Sequence, residues 1–321
     1  MARDTSRYPW IFALRGIAIL LVISHHCVQA LIKFAGTAPP MLLTLDDLVG
    51  PFRMPMLMFV SGMLLQRSIA KPPGRYFGGK AAGIAWPYLL WSVILLALAG
   101  GIDAVDLVGL LLAPPTVYWY LWFLLAFYVL AYVVRRVPRG VLIVIALALA
   151  VVAPGTLRAD RFCFLFAFFI AGDWATRNRA AWERWIRSPW VVVVSACLVV
   201  GTALLATTDL IGVRYSVVSV PGVVGMILVA LRVLPPTDRV RAFGPLRFAG
   251  EHSLVYYVTN WPTVLVVGPL LVPRSGNGFL GYVALFTAVA VIATVLSIAS
   301  MRSPLMRALF RWPSRRTRPG R

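Results

Sequence analysis

The sequence predicts an all-α integral membrane protein, a polytopic bundle of about ten transmembrane helices with both termini in the cytoplasm. Three observations lead to this fold class. Of the 321 residues, 60% are hydrophobic and only 13% are charged, which is about half the charged fraction of an ordinary soluble domain. Apolar segments recur along the whole chain, and 31 basic residues against 11 acidic ones separate these segments. The composition excludes an ordinary soluble enzyme and a disordered chain.

The predicted spans cover most of the chain, although several are shorter than the roughly 20 residues that cross a bilayer. We place them near residues 10–32, 52–69, 82–100, 117–134, 140–155, 162–176, 189–207, 217–231, 250–272 and 280–300. The first is not expected to be a cleaved signal peptide, because it contains Arg15, His25 and His26 and no small-residue cleavage site follows it. The longest loops are short, so residues 1–300 are expected to form one transmembrane domain and residues 301–321 a basic cytoplasmic tail.

The distribution of Lys and Arg predicts the orientation. On one side of the spans lie 24 of the 31 basic residues, five lie on the other side, and Arg15 and Arg53 lie in or at the edge of spans. Basic loops stay in the cytoplasm, so an even number of spans places both termini there. The same pattern favours a multi-pass protein of the plasma or inner cell membrane, in contact with anionic lipid, over a nucleic-acid-binding protein.

The first span contains ionisable residues that a membrane helix rarely tolerates. Such residues cost about 2.5–3.5 kcal/mol each on insertion scales, and they are functional candidates by default. Arg15 and His26 are eleven residues apart, so at about 100° per residue they share one helical face, roughly 16 Å apart along the axis. His25 points about 80° away from Arg15. A snorkelling arginine or a hydrogen-bonded core histidine would explain either residue alone, whereas the same-face pair favours a function.

Other polar and aromatic residues complete the set of candidates. Arg53 enters the second span from the outer side. Ser61 belongs to a small-residue packing notch, and no Gly-x-Ser-x-Gly elbow surrounds it. Trp122 belongs to an aromatic run at the start of the fourth span. Asp173 and Glu251 are expected to be solvated residues at the cytoplasmic ends of their helices.

Four short blocks follow one another over nearly the whole chain. They are an Arg-x10-His helix in residues 14–26, a proline-to-Ser-Gly block in residues 52–62, a Trp-Phe-Leu block in residues 121–124, and a Gly-x-x-Ser-x-x-x-Tyr block in residues 250–257. In type, order and spacing these blocks resemble those of the acyltransferase 3 family of integral membrane O-acyltransferases.

The resemblance implies transfer of an acyl group, commonly acetyl from acetyl-CoA, to a hydroxyl of a glycan. It makes Arg15 and His26 the functional pair, with Arg15 as a donor-binding cation and His26 as the general base. Acyl-CoA is then a donor substrate, and no permanently bound cofactor or metal is expected. The substrate-binding candidates are Arg53, His25, Ser61, Trp122, Glu251, Tyr256 and Asn260. Many members of the family have a histidine near the position where this chain has Asn260.

Two points of the mechanism stay open at this level. Arg53, Asn260 or a backbone amide are the alternatives for stabilising the oxyanion. A carboxylate is expected to orient His26, and Asp46 and Asp47, in a predicted outer loop, are the nearest candidates in sequence.

The rival function is a multi-pass transporter or flippase that uses Arg15 and His26 as a substrate or proton path. Prolines at positions 55, 87, 262 and 269 could break helices, as they often do in transporters, although no paired half-repeats are visible. The enzyme hypothesis requires Arg15 and His26 to line one cavity that opens to the cytoplasm and is reachable from outside.

Overall fold

The computed structural model describes residues 9–100, 109–110, 117–155, 158–208, 212–234, 240–273, 276 and 278–313. Over these residues every regular element is a helix. The α-helices, numbered along the chain, are α1 Pro9–Ala35, α2 Pro40–Met63, α3 Leu65–Ile69, α4 Pro73–Lys80, α5 Trp86–Ala99, α6 Trp119–Val133, α7 Arg139–Val152, α8 Ala159–Arg177, α9 Arg179–Arg187, α10 Pro189–Leu205, α11 Val220–Val233, α12 Gly244–Glu251, α13 Ser253–Leu271, α14 Gly278–Arg302 and α15 Pro304–Ala308. A π-helix, Ala81–Ala85, joins α4 to α5, and 3-10 turns at Val217–Ser219 and Arg241–Phe243 precede α11 and α12.

Several of these helices are apolar enough to cross a membrane. By length and composition the candidate spans are Trp10–Ala35, Pro73–Ala99, Ser253–Leu271 and Gly278–Arg302. The pair α9 and α10, bent by 88° at its junction, is a fifth candidate, and α6, α7 and α11 belong to shorter apolar helices. The all-helical membrane class is therefore confirmed, while the count of about ten spans and the cytoplasmic position of the termini stay predictions.

Helix α2 begins earlier than the predicted span near residues 52–69. It starts at Pro40, where the fixed φ of proline and its missing N–H suit the first helical turn. Asp46 and Asp47, which were expected in an outer loop, therefore lie on this helix. The apolar pattern missed the segment because its two carboxylates interrupt the hydrophobic run.

Prolines do not break the helices that contain them. Helix α2 continues through Pro55, and α13 continues through Pro262 and Pro269. Pro87 lies in the first turn of α5, where proline is tolerated. The discontinuous helices that the transporter hypothesis would use are thus not found at these four positions.

Two helix pairs cross closely at glycines that face each other. A Cβ on Gly16 of α1 would lie 1.9 Å from the carbonyl oxygen of Leu246, and a Cβ on Gly250 would lie 1.8 Å from a carbonyl oxygen of α1. Gly62 of α2 and Gly172 of α8 meet in the same way, at 1.8 and 2.0 Å. The missing side chains let the helix backbones touch, and each crossing fixes the helix position next to a candidate residue, Arg15 or Ser61.

The expectation that Asp173 is solvated is wrong. Its side chain is fully buried, and Oδ2 accepts hydrogen bonds from Nε of Arg139 at 2.6 Å and from Nε of Arg177 at 3.0 Å. A buried carboxylate requires such partners, and Arg139, itself buried, is 34 residues away in sequence. The ion pair joins the start of α7 to the end of α8.

The first part of the predicted tail packs on α5 and on the π-helix. The indole N–H of Trp86 donates to the carbonyl of Ala308 at 2.7 Å, and the backbone N–H of Trp312 donates to the carbonyl of Ala82 at 2.9 Å. The tail therefore contacts the bundle at least as far as Trp312, whereas its last eight residues, 314–321, lie outside the described part of the chain.

Candidate functional site

Helix α1 carries both residues of the predicted pair, but they line two neighbouring cavities and not one. Arg15 lines a cavity of about 280 Å³, the Arg15 cavity. His26 lines a second cavity of about 260 Å³, the His26 cavity. Tyr257 of α13 lines both cavities. Its ring packs 5.2 Å from that of Tyr120, and its hydroxyl donates to a backbone carbonyl at 2.7 Å. Arg15 and His26 were predicted to line a single cavity. The structure corrects this prediction, because each lines its own cavity and the side chain of Tyr257 lies where the two cavities meet.

The Arg15 cavity presents a cation without a counter-ion. No hydrogen bond or ion pair links the Arg15 guanidinium to any residue that the structure describes, and its Nε atom is buried without a partner. Glu251 lines the same cavity and is exposed, but it forms no ion pair with Arg15. Withdrawing a charge from water without a partner is costly. The cavity is therefore suited to an anionic or strongly polar ligand group.

Ser61 belongs to the polar wall of the Arg15 cavity. Its hydroxyl is 3.2 Å from that of Tyr120, and its carbonyl accepts a hydrogen bond from the hydroxyl of Tyr128 at 3.2 Å. The π-helix also reaches this cavity through Gly83 and Ile84. Helix segments of this kind are frequent at functional sites, and this one widens the backbone spiral where the cavity wall forms.

Asn260 fixes the direction of the His26 ring. The Nδ1–H of His26 donates to Oδ1 of Asn260 at 2.7 Å, and because a carbonyl oxygen only accepts, the lone pair of the neutral ring is on Nε2. The ring also packs edge-on against Trp261, with centroids 5.2 Å apart. Asn260 is fully buried. The expectation that Asp46 or Asp47 orients His26 is therefore wrong, because a buried amide on α13 occupies that position.

Asp46 binds the neighbouring histidine instead. His25 Nδ1 donates to Oδ2 of Asp46 at 2.9 Å, and the buried guanidinium of Arg53 hydrogen-bonds Oδ1. Arg214 reaches the same carboxylate at 3.3 Å and Asp47 at 2.7 Å. His25 is thus part of an ionic network, while His26 next to it has no charged hydrogen-bond partner among the described residues.

The His26 cavity is rich in basic side chains. Its polar lining consists of His25, His26, Arg53, Trp119, Arg161, Arg214, Tyr215 and Tyr257. Arg161 and Arg214 belong to the few basic residues that the sequence places on the outer side, and both come to the histidine end of α1. Both arginines thus share a cavity with His26 and not with Arg15.

A family model for an acyltransferase domain, acyltransferase 3, matches residues 8–302. The chain belongs to the acyltransferase 3 family. This confirms the resemblance of the four sequence blocks and supports a membrane acyltransferase. No curated protein matches the sequence. The matched region contains both cavities of this acyltransferase and all the residues that line them.

Three predicted substrate-binding residues of this acyltransferase, Trp122, Tyr256 and Asn260, line neither cavity. Trp122 packs against Phe123 and Phe162, with ring centroids 5.8 and 6.5 Å away. The hydroxyl of Tyr256 is 2.6 Å from that of Thr294 on α14. For Trp122 and Tyr256, an aromatic residue one or two positions away on the same helix lines a cavity instead, Tyr120 and Tyr257 respectively. Each position along a helix turns the side chain by about 100°.

The sequence did not single out several residues that line the cavities. These are Tyr120, Tyr128, Arg161, Arg214, Tyr215 and Tyr257. A signal existed for the two arginines, which stand among only five basic residues on the predicted outer side. Among the described residues of this acyltransferase, no group of three or more His, Cys, Asp or Glu side chains is arranged to hold a metal ion.

Proposed function

We propose that this protein is an O-acyltransferase that moves an acyl group, acetyl in the first instance, from acyl-CoA to a hydroxyl of a cell-surface or exported glycan. One observation carries the proposal. The guanidinium of Arg15 has no partner in the described ranges, and the His26 imidazole leaves Nε2 free of the Asn260 hydrogen bond; the two side chains line adjoining cavities that meet at Tyr257. The family supports acyl transfer, and the geometry supports a donor on the Arg15 side and an acceptor on the His26 side.

On the donor side, Arg15 supplies the positive charge. A polar or anionic part of acyl-CoA would bind this guanidinium, since charge-assisted hydrogen bonds are strong in a site with little water. Arg15 and His26 are separated by roughly 16 Å along α1, a length comparable to an extended pantetheine arm. A donor held at Arg15 would thus present its thioester near the boundary of the His26 cavity.

On the acceptor side, His26 acts as general base. Its Nε2 takes the proton of the acceptor hydroxyl, and the hydroxyl oxygen forms a bond to the thioester carbonyl carbon. The tetrahedral intermediate then breaks its C–S bond, and the CoA thiolate leaves with the proton from His26. Arg53 lines this cavity, whereas the fully buried Asn260 does not. Of these two side chains, Arg53 is therefore the better placed to stabilise the oxyanion.

The test uses purified full-length protein in nanodiscs, with radiolabelled acetyl-CoA and a glycan extract as acceptor. His26→Ala is expected to lower label transfer about a hundredfold or more, the usual contribution of a general base. His25→Ala is the matched control, with a smaller loss expected because Asp46 already binds this ring. Both variants must elute as folded, inserted protein. An inactive His25 variant beside a fully active His26 variant would refute the assignment.

A further inference from the structure

Among the residues that the structure describes, basic side chains outnumber carboxylates around the His26 cavity. Asp46 binds Arg53, and Asp47 binds Arg214, so each of these guanidinium groups has a carboxylate partner. Arg161 lines the same cavity and has no ion pair or hydrogen bond to any residue within the described ranges. One positive charge in the cavity wall therefore lacks a carboxylate partner.

Within the described part of the chain, Arg161 packs on an aromatic ring and has no counter-ion. It lies in the first turn of α8, is half-buried, and places its guanidinium 5.1 Å from the ring centroid of Tyr215. The preceding carboxylate, Asp160, forms no ion pair with Arg161, and its buried Oδ1 has no hydrogen-bond partner among the described residues. Stacking on an aromatic face orients the planar fork of Arg161 while leaving its N–H groups available.

Several arginine side chains lie close enough to Tyr215 to act on the pKa of its hydroxyl. It lies in the loop between α10 and the turn before α11, and burial raises the pKa of its hydroxyl. The positive charges of Arg53, Arg161, Arg214 and Arg158 all act in the opposite direction on that pKa. Four guanidinium groups therefore act on one side chain of the cavity wall.

We propose that the acceptor which enters the His26 cavity carries an anionic group, a carboxylate or a phosphate, and that Arg161 binds this group. The inference rests on the proposed function and adds the chemical class of its acceptor. The guanidinium fork matches the oxygens of either anion. An anion bound at Arg161 would hold the sugar in the cavity that His26 lines. The carboxylate would come from a uronic acid, and the phosphate from a phosphorylated sugar.

The test is a binding measurement on the full-length protein in nanodiscs. The probes are fluorescent disaccharides that end in glucuronate, in its uncharged methyl ester, or in glucose 6-phosphate, and binding is read by fluorescence polarisation. Wild-type protein is expected to bind an anionic probe about tenfold or more tightly than the ester, as one charged hydrogen bond predicts. The stronger of the two anionic probes identifies the source of the charge.

Variants assign the preference to one side chain. Arg161→Gln is expected to abolish the preference for the anionic probes over the ester, and Arg161→Lys is expected to keep part of this preference. Arg158→Gln is the matched control, since Arg158 is near the site but does not line the cavity, and it is expected to keep the preference. Equal binding of ester and anions, no binding of any probe, or an unchanged preference in Arg161→Gln would overturn the proposal.

Acetyl transfer, measured in parallel, separates this inference from the function on which it rests. Transfer to neutral glycans without any anion preference would leave the acyltransferase function standing and remove the anionic acceptor. Anion binding that depends on Arg161, in a protein that turns over no acetyl-CoA, would retain an anion site and remove the proposed function.

Discussion

Replacing Asn260 by alanine tests whether this buried amide orients the His26 ring so that Nε2 can act as the base. The amide accepts the Nδ1–H of His26 at 2.7 Å, and without it neither the tautomer nor the direction of the ring is held. A hydrogen bond of this kind contributes about 1 kcal/mol, and 1.36 kcal/mol corresponds to a tenfold change in rate. We therefore expect kcat for acetyl transfer to fall about fivefold to tenfold in Asn260→Ala.

The assay is transfer of label from acetyl-CoA at a saturating glycan concentration. The KM for acetyl-CoA is expected to stay unchanged, because Asn260 does not line the Arg15 cavity. Asn260→Asp is the control, since it keeps an oxygen acceptor for Nδ1–H and should retain more activity than the alanine variant. A folded Asn260→Ala protein with wild-type kcat, or one in which only the KM for acetyl-CoA rises, would refute the reasoning.

Three other substitutions test the framework around the site. Gly16→Ala should lower the thermal unfolding midpoint, because a Cβ would overlap a carbonyl of α12 and overpacking costs about 1–3 kcal/mol. Gly201→Ala is the control and should leave the midpoint unchanged, because a Cβ at Gly201 would have no atom within 4 Å. Arg139→Ala should destabilise the protein in denaturant titrations by about 3 kcal/mol, since Asp173 would keep only its more exposed partner; unchanged stability would contradict this. Tyr257→Trp should lower kcat, because the larger ring would narrow the boundary between the two cavities. Tyr257→Phe keeps the ring and should retain most activity. Equal kcat values for the Trp and Phe variants would show that this side chain does not control passage of the acyl group between the cavities.

Two residues that line the candidate cavities could be predicted from the sequence, because ionisable residues are conspicuous in an apolar segment. Few ionisable residues lie within the apolar segments, so Arg15 and His26 stand out, and their spacing correctly places them on one helix. Gly16 is also informative, since a small residue next to a charged one in a span indicates a close helix crossing. Both the spacing of Arg15 and His26 and the position of Gly16 concern residues of one helix, α1.

The partners of these residues could not be predicted, because they come from distant parts of the chain. Asn260 is 234 residues from His26, and local periodicity carries no information about such a contact. Asp46 is the nearest carboxylate in sequence, but it meets His25, because adjacent helical residues point about 100° apart. The same rotation explains why Tyr257, and not Tyr256, lines the cavities.

The division into two cavities gives a physical reason for the unpaired arginines. Among the described residues, Arg15 has no counter-ion in one cavity and Arg161 has none in the other, so under the proposals each cavity would hold one negatively charged substrate. Two anions in a single compartment with little water would repel each other strongly, whereas separate sites keep them apart. Only the uncharged acyl thioester then needs to reach the boundary at Tyr257. The bulky ring at that boundary would also limit the access of water to the thioester, so that transfer to a bound hydroxyl is favoured over hydrolysis.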